Sequence, residues 1–121
     1  MKDNLVNTIK IDANGKVLGK VAAEAAIILR GKNKPCFSHE KFCGDKVIII
    51  NANKVIITGK KLLNEKYYSH SGYLGNLKTK KMKDLFNDNP EQVIYKAIYG
   101  MLPRNKLRKI YLKNLNIKKE E

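Results

Sequence analysis

The 121-residue chain has no tryptophan, two cysteines, three prolines, two histidines and 11 acidic residues. Each shortage closes off a class of protein. Cys36 and Cys43 are too few for a disulfide framework, so reduced thiols in a reducing compartment are expected. Pro35, Pro90 and Pro103 merely punctuate the chain, and no internal repeat or low-complexity tract divides it. The longest apolar runs are Val47 to Ile50 and Ala25 to Leu29, far short of the ~20 residues that span a bilayer. Met1 to Gly15 holds no long apolar stretch with a small-residue cleavage site and is not arginine-rich, so no targeting peptide is expected. The acidic residues are scattered among lysines, and His39 and His70 stand in no Ser/His/Asp or Cys/His arrangement. Both histidines therefore read as structural or recognition residues rather than general bases, and the chain reads as a non-enzyme.

What is present in excess is positive charge. Lys and Arg total 25, only three of them arginine, for a formal net charge of +14 and an isoelectric point near 9.8. A small folded body with that surplus repels itself, and a polyanionic partner offsets the cost. Nucleic acid fits better than an anionic membrane surface, since no membrane-seeking segment accompanies the lysines. A hydrophobic fraction of 43% still allows one packed domain over residues 1–121.

Periodicity divides that domain. Ile9-Lys10-Ile11 alternates as a short strand does, and Asp12 to Gly15 has turn chemistry. Leu18, Val21, Ala22, Ala25, Ile28 and Leu29 then fall on one helix face, with Gly31 placed as the C-terminal cap. Val47-Ile48-Ile49-Ile50 predicts a strand buried on both faces, and Val55 to Thr58 a second one. Strand, helix and buried strand together predict an α/β unit. Gly59 to Lys81 shows no clear period and reads as a long functional loop. Met82, Leu85 and Phe86 suit a short helix, and Asn89-Pro90 suits the start of another running through Val93, Ile94, Ala97, Ile98 and Met101. Leu107, Ile110, Tyr111 and Leu115 predict a last, basic helix over about 104–115.

The chemistry-bearing motifs are then few. Cys36, His39 and Cys43 form a C-x2-H-x3-C cluster that lacks a nearby fourth zinc ligand, so no metal site is expected. Thr58 to Lys61 lacks the first glycine and final hydroxyl of a phosphate loop, and Gly15-x-x-x-Gly19 lacks dinucleotide spacing. No cofactor and no small-molecule substrate are expected. The strongest feature is the 59–81 segment, where Lys60, Lys61, Lys66, Lys78, Lys80 and Lys81 interleave with Tyr67, Ser69, His70, Ser71 and Tyr73. Lysines neutralise phosphates, aromatic rings stack on bases, and Gly72 and Gly75 let the backbone come close to an RNA strand. A second basic group is Arg104, Lys106, Arg108, Lys109 and Lys113, with Arg104 and Arg108 at helical i, i+4 spacing. Arg30, Lys32 and Lys34 make a third, partly explained by the dipole at the helix end, and Lys16 and Lys20 lie at that helix's start.

Several of these strings resemble a known family. Ile11-Asp12-Ala13-Asn14-Gly15-Lys16-Val17-Leu18-Gly19-Lys20, Leu29 to Pro35, Val55 to Lys61, Tyr67 to Tyr73 and Gly100-Met101-Leu102-Pro103-Arg104-Asn105-Lys106-Leu107 resemble, in order, blocks of the universal large-subunit ribosomal protein L-thirteen family. The resemblance runs from about Ile9 to Ile117. The chain departs from it in lacking a tryptophan near Thr8, in Arg108 where glycine or serine is usual, and in Leu74 where proline is frequent. The resemblance implies an α/β fold, a three-layer α/β/α domain with a small mainly parallel sheet and a helical C-terminal region. It implies a structural constituent of the large ribosomal subunit that binds large-subunit rRNA, helps its assembly and neighbours other large-subunit proteins. The implied location is cytoplasmic, in the ribosome, with an organelle-encoded ribosome also fitting. Two rivals lack support in the residues: a free-standing nucleic-acid regulator would need a base-reading element, and a nucleotide-using α/β enzyme a complete phosphate loop.

Overall fold

A computed structural model describes residues 7–35, 44–58, 64–70, 72–75 and 77–120. The chain begins with strand β1 (Thr8–Asp12) and turns into helix α1 (Leu18–Arg30). The helix forms where the 3.6-residue period predicts it, burying Val21, Ala22, Ala25, Ala26, Ile28 and Leu29 along one face. Val17 precedes it in extended conformation without a side-chain cap, but the orphan amide of Leu18 donates to the Ile56 carbonyl at 3.0 Å. At the other end Gly31 adopts φ 73°, and the amides of Gly31 and Lys32 reach back to Ile28 and Ile27. That is the Schellman pattern, which only a residue tolerant of left-handed backbone closes cheaply.

Strand β2 (Lys46–Ile50) follows and becomes the centre of a three-stranded sheet in the order β1-β2-β5, with both pairings parallel. Gly44 permits the approach to β2, since a Cβ there would sit 1.7 Å from the Leu29 carbonyl oxygen. Beside it Asp45 is buried, and its carboxylate accepts the Asn7 amide at 3.1 Å and Lys34 Nζ at 2.6 Å. A buried carboxylate without such partners costs several kcal/mol, so this pair fixes how the chain returns from α1 to the sheet.

The register sorts the sheet's two faces. Ile9, Ile11, Val47, Ile49, Leu115 and Ile117 share one face and join the core made by α1 and the C-terminal helices. Thr8, Lys10, Lys46 and Asn116 lie on the other face and are exposed, with Ile48 only half-buried among them. The fold is thus mixed α/β, a small parallel sheet with several helices.

Three expectations are corrected beyond β2. Val55 to Thr58 forms no full strand: after a 3-10 turn (Ala52–Lys54), only an isolated parallel bridge joins Val17 to Ile56. The segment expected as a loop contains a hairpin, strands β3 (Lys66–His70) and β4 (Leu77–Lys81), paired antiparallel. Helices α2 (Met82–Asp88) and α3 (Pro90–Met101) follow as expected, with Pro90 in the first turn of α3, although Asn89 makes no side-chain capping bond. The last helix, α4 (Arg108–Lys113), is shorter than expected. Leu115 instead begins strand β5 (Leu115–Ile117), which sets Leu115 and Ile117 beside Val47 and Ile49, packed against the core. Lys118 N–H to Ile49 O at 2.7 Å closes that edge.

Candidate nucleic-acid interface

The hairpin's residues dictate its unusual surface. In β3 and β4 side chains alternate between faces. Tyr67 and Ser69 face one way with their cross-strand partners Lys80 and Lys78, while Lys66 and Tyr68 face the other with Lys81 and Thr79. Tyr67 is the anchor. It packs with Leu18, Ile57 and Phe86 against the buried cluster of Met82, Leu85 and Val93, and Lys96 Nζ lies 4.5 Å above its ring. Burial pushes the Tyr67 phenol above its ordinary pKa, and Glu65 adds to the effect. The opposite face is open, with Tyr68 65% exposed and every residue of β4 exposed.

Lys66 and Lys81 stand directly opposite each other on that open face. Like charges at such positions weaken a hairpin that, as a two-stranded ribbon, is marginal in water already. At its tip Gly72 (φ 91°) and Gly75 (φ 80°) carry the turn through backbone conformations that side chains rarely adopt, and Tyr73 and Leu74 protrude between them. Lys80 also reaches Asp88 at 3.3 Å, but both are exposed, and a surface pair of this kind contributes about 0–1 kcal/mol.

The other basic residues are distributed unevenly. Lys20 and Lys32 are exposed around α1, Arg30 is half-buried in its last turn, and Lys16 approaches Glu24 at 3.7 Å on the surface. Lys34 is the exception, since its amine is engaged by buried Asp45 and holds the fold. Arg104 and Lys106 are exposed in the connection after α3, so Arg104 and Arg108 do not share the helix face that their i, i+4 spacing had suggested. Arg108 and Lys109 open α4. Lys60, Lys61 and Ser71 lie outside the described residues, as do Cys36, His39 and Cys43. His70 is described only through its backbone pairing with Leu77. Among the described residues, no group of three His, Cys, Asp or Glu could hold a metal ion.

One constellation escaped the sequence reading. Tyr95 and Tyr99, one turn apart on α3, stack with ring centroids 6.5 Å apart and 25° between planes. Arg108 lies over the Tyr99 ring at 3.9 Å and donates from its guanidinium to the Tyr99 hydroxyl at 2.7 Å. These residues, with Asn105, Lys109, Leu112 and Lys113, line a cleft of about 510 Å³ between α3 and α4. The repeated spacing Tyr95/Tyr99 and Lys109/Lys113 was the available signal. No helix of the described structure is long and apolar enough to cross a membrane.

The chain is similar to known proteins over nearly all its length. Residues 6–121 match the family described as Ribosomal protein L13. A large ribosomal subunit protein uL13 from Aliarcobacter butzleri is 50% identical over 109 residues, 90% of this chain and 78% of that protein. Its counterpart from Pelotomaculum thermopropionicum is 53% identical over 107 residues, 88% of this chain and 74% of the relative. The Helicobacter hepaticus protein of the same name is 46% identical over 109 residues, 90% and 77% of the two chains.

Proposed function

The chain belongs to the ribosomal protein L13 family and so is a structural constituent of the large ribosomal subunit, not an enzyme; from that premise we propose that its lysine-rich hairpin is the principal contact with large-subunit rRNA. The carrying observation is the open face of β3–β4, where Lys66 and Lys81 confront each other beside exposed Tyr68. On this reading one domain, residues 1–121, presents two RNA-facing parts: the 59–81 segment and the basic stretch over about 104–115. Lys66, Lys78, Lys80 and Lys81, with Lys60 and Lys61, neutralise phosphates where RNA helices converge. Tyr68, His70, Tyr73 and the Gly72–Gly75 turn fit the shape of the RNA. Lys16, Lys20, Arg30, Lys32, Arg104, Lys106, Arg108 and Lys109 extend the basic surface. Phosphate contacts position a protein but do not specify sequence, so selectivity comes from the RNA's fold. The full three-layer α/β/α arrangement is part of the same proposal, supported by Ile48 and Ile50 on the second face of the sheet.

Co-sedimentation tests it. The parent chain is expected to travel with large-subunit particles at moderate salt and to bind large-subunit rRNA with a steep salt dependence. Replacing Lys66, Lys78, Lys80 and Lys81 by alanine should lower that slope by roughly one unit per lost phosphate contact. Equal slopes for variant and parent would reject the hairpin as the contact.

A further inference from the structure

The cleft between α3 and α4 is built differently from the hairpin, and its chemistry suits a base rather than a phosphate alone. Its wall is aromatic: Tyr95 and Tyr99 are each 42% exposed although they sit on a core helix. Arg108 is held in place from two directions, by the Tyr99 ring at 3.9 Å and the Tyr99 hydroxyl at 2.7 Å. A pinned guanidinium has lost its rotamer freedom before any ligand arrives and offers a flat cationic surface. Leu112 supplies apolar surface, Lys109 and Lys113 supply charge one turn apart on α4, and no acidic residue lines the cleft. Its volume of about 510 Å³ lies in the range of small-ligand sites.

We propose that this cleft takes one unstacked nucleotide of RNA, its base against Tyr95 and the Arg108–Tyr99 pair and its phosphate between Lys109 and Lys113. An acidic protein segment would satisfy the lysines but leave the aromatic wall unused, whereas a nucleotide uses both. The proposal deepens the rRNA reading and rests on it. It adds that a base swung out of its helix, and not only the backbone, is recognised. Exposed aromatic side chains and arginine planes are the groups on which unpaired bases stack.

The test separates base from charge. Binding of the whole chain to a short single-stranded oligoadenylate is compared, by fluorescence anisotropy, with binding to an abasic strand of equal length and charge. The parent is expected to prefer the strand with bases by about fivefold or more, the lower end of one stacking contact. Tyr95→Ala should erase most of that preference, and Tyr95→Phe should keep it. Lys113→Ala should weaken both strands alike and reduce the salt slope by about 0.7. Because Tyr95 is substantially exposed, these variants are expected to fold, which circular dichroism checks. A parent that binds both strands equally, or neither, overturns the proposal, and so does a Tyr95→Ala variant with its preference intact. Those outcomes are distinct from failure of the rRNA reading: a chain that pellets with large subunits yet ignores bases refutes only the cleft.

Discussion

The parallel sheet and the β3–β4 hairpin are both built of short strands, yet they are held by opposite means. In the sheet, Val47 and Ile49 are fully buried and lie between apolar partners on β1 and β5. In the hairpin, Tyr67 is the apolar tie to the body among the described residues, and the open face sets lysine against lysine. The sheet is stable through what it removes from water. The hairpin instead keeps most of its charged surface in water. A protein can thus carry a cationic surplus on an element whose own stability is low, provided a separate core supports it.

Substitutions can break or sharpen that contrast. The largest effect is expected at Ile49→Ala, which leaves a cavity at the centre of the sheet and should cost about 4 kcal/mol in denaturant unfolding. The matching change in the hairpin, Leu77→Ala, should stay within about 0.5 kcal/mol because Leu77 is largely exposed. Equal losses at the two sites would erase the distinction. Next comes Lys34→Ala, which strands the buried Asp45 carboxylate; about 3 kcal/mol is expected, the low end for a broken buried pair because solvent reaches part of Lys34. Were Lys34 an RNA contact only, unfolding would be unchanged and RNA binding would fall.

Smaller effects probe the hairpin itself. Lys66→Glu converts the repulsive pair with Lys81 into an attractive one and should stabilise the free hairpin by about 0.2–1 kcal/mol, read as slower amide exchange in β3 and β4. The same change should weaken rRNA binding. Stability and function moving in opposite directions is the signature of an element kept marginal for its partner. The smallest effect concerns Asp12, whose carboxyl is held below its ordinary value of 3.8 by bonds from Asn51 and the Asn14 amide, aided by Lys16 and Lys54. A depressed folded value means its contribution is complete above 3.8 and is lost as the pH falls toward the folded value. Asp12→Asn should therefore slightly flatten the acid limb of a pH–stability curve.

The same contrast explains what could be read beforehand. Helix α1, strand β2 and the Gly31 cap were legible because burial imposes a period on apolar residues and a special backbone on one glycine. The hairpin was not, because Lys66 to His70 and Leu77 to Lys81 alternate polar with polar and leave no apolar stripe to recognise. Strand β5 hid behind the helical spacing of Tyr111 and Leu115, since three residues are too few to show a period of their own. Val55 to Thr58 looked like a strand by composition, but among these residues only Ile56 found a bridge. Within the basic surface, lysine abundance marked the hairpin, whereas the engagement of Lys34 by Asp45 and of Arg108 by Tyr99 depends on distances that only the folded chain sets.

The most direct trial of the account is a map of cross-links between this chain and rRNA in assembled large subunits. Cross-links concentrated on residues 66–81, with a second group at 104–113, are predicted. A map with the hairpin silent, and contacts confined to α1 and the parallel sheet, would contradict it.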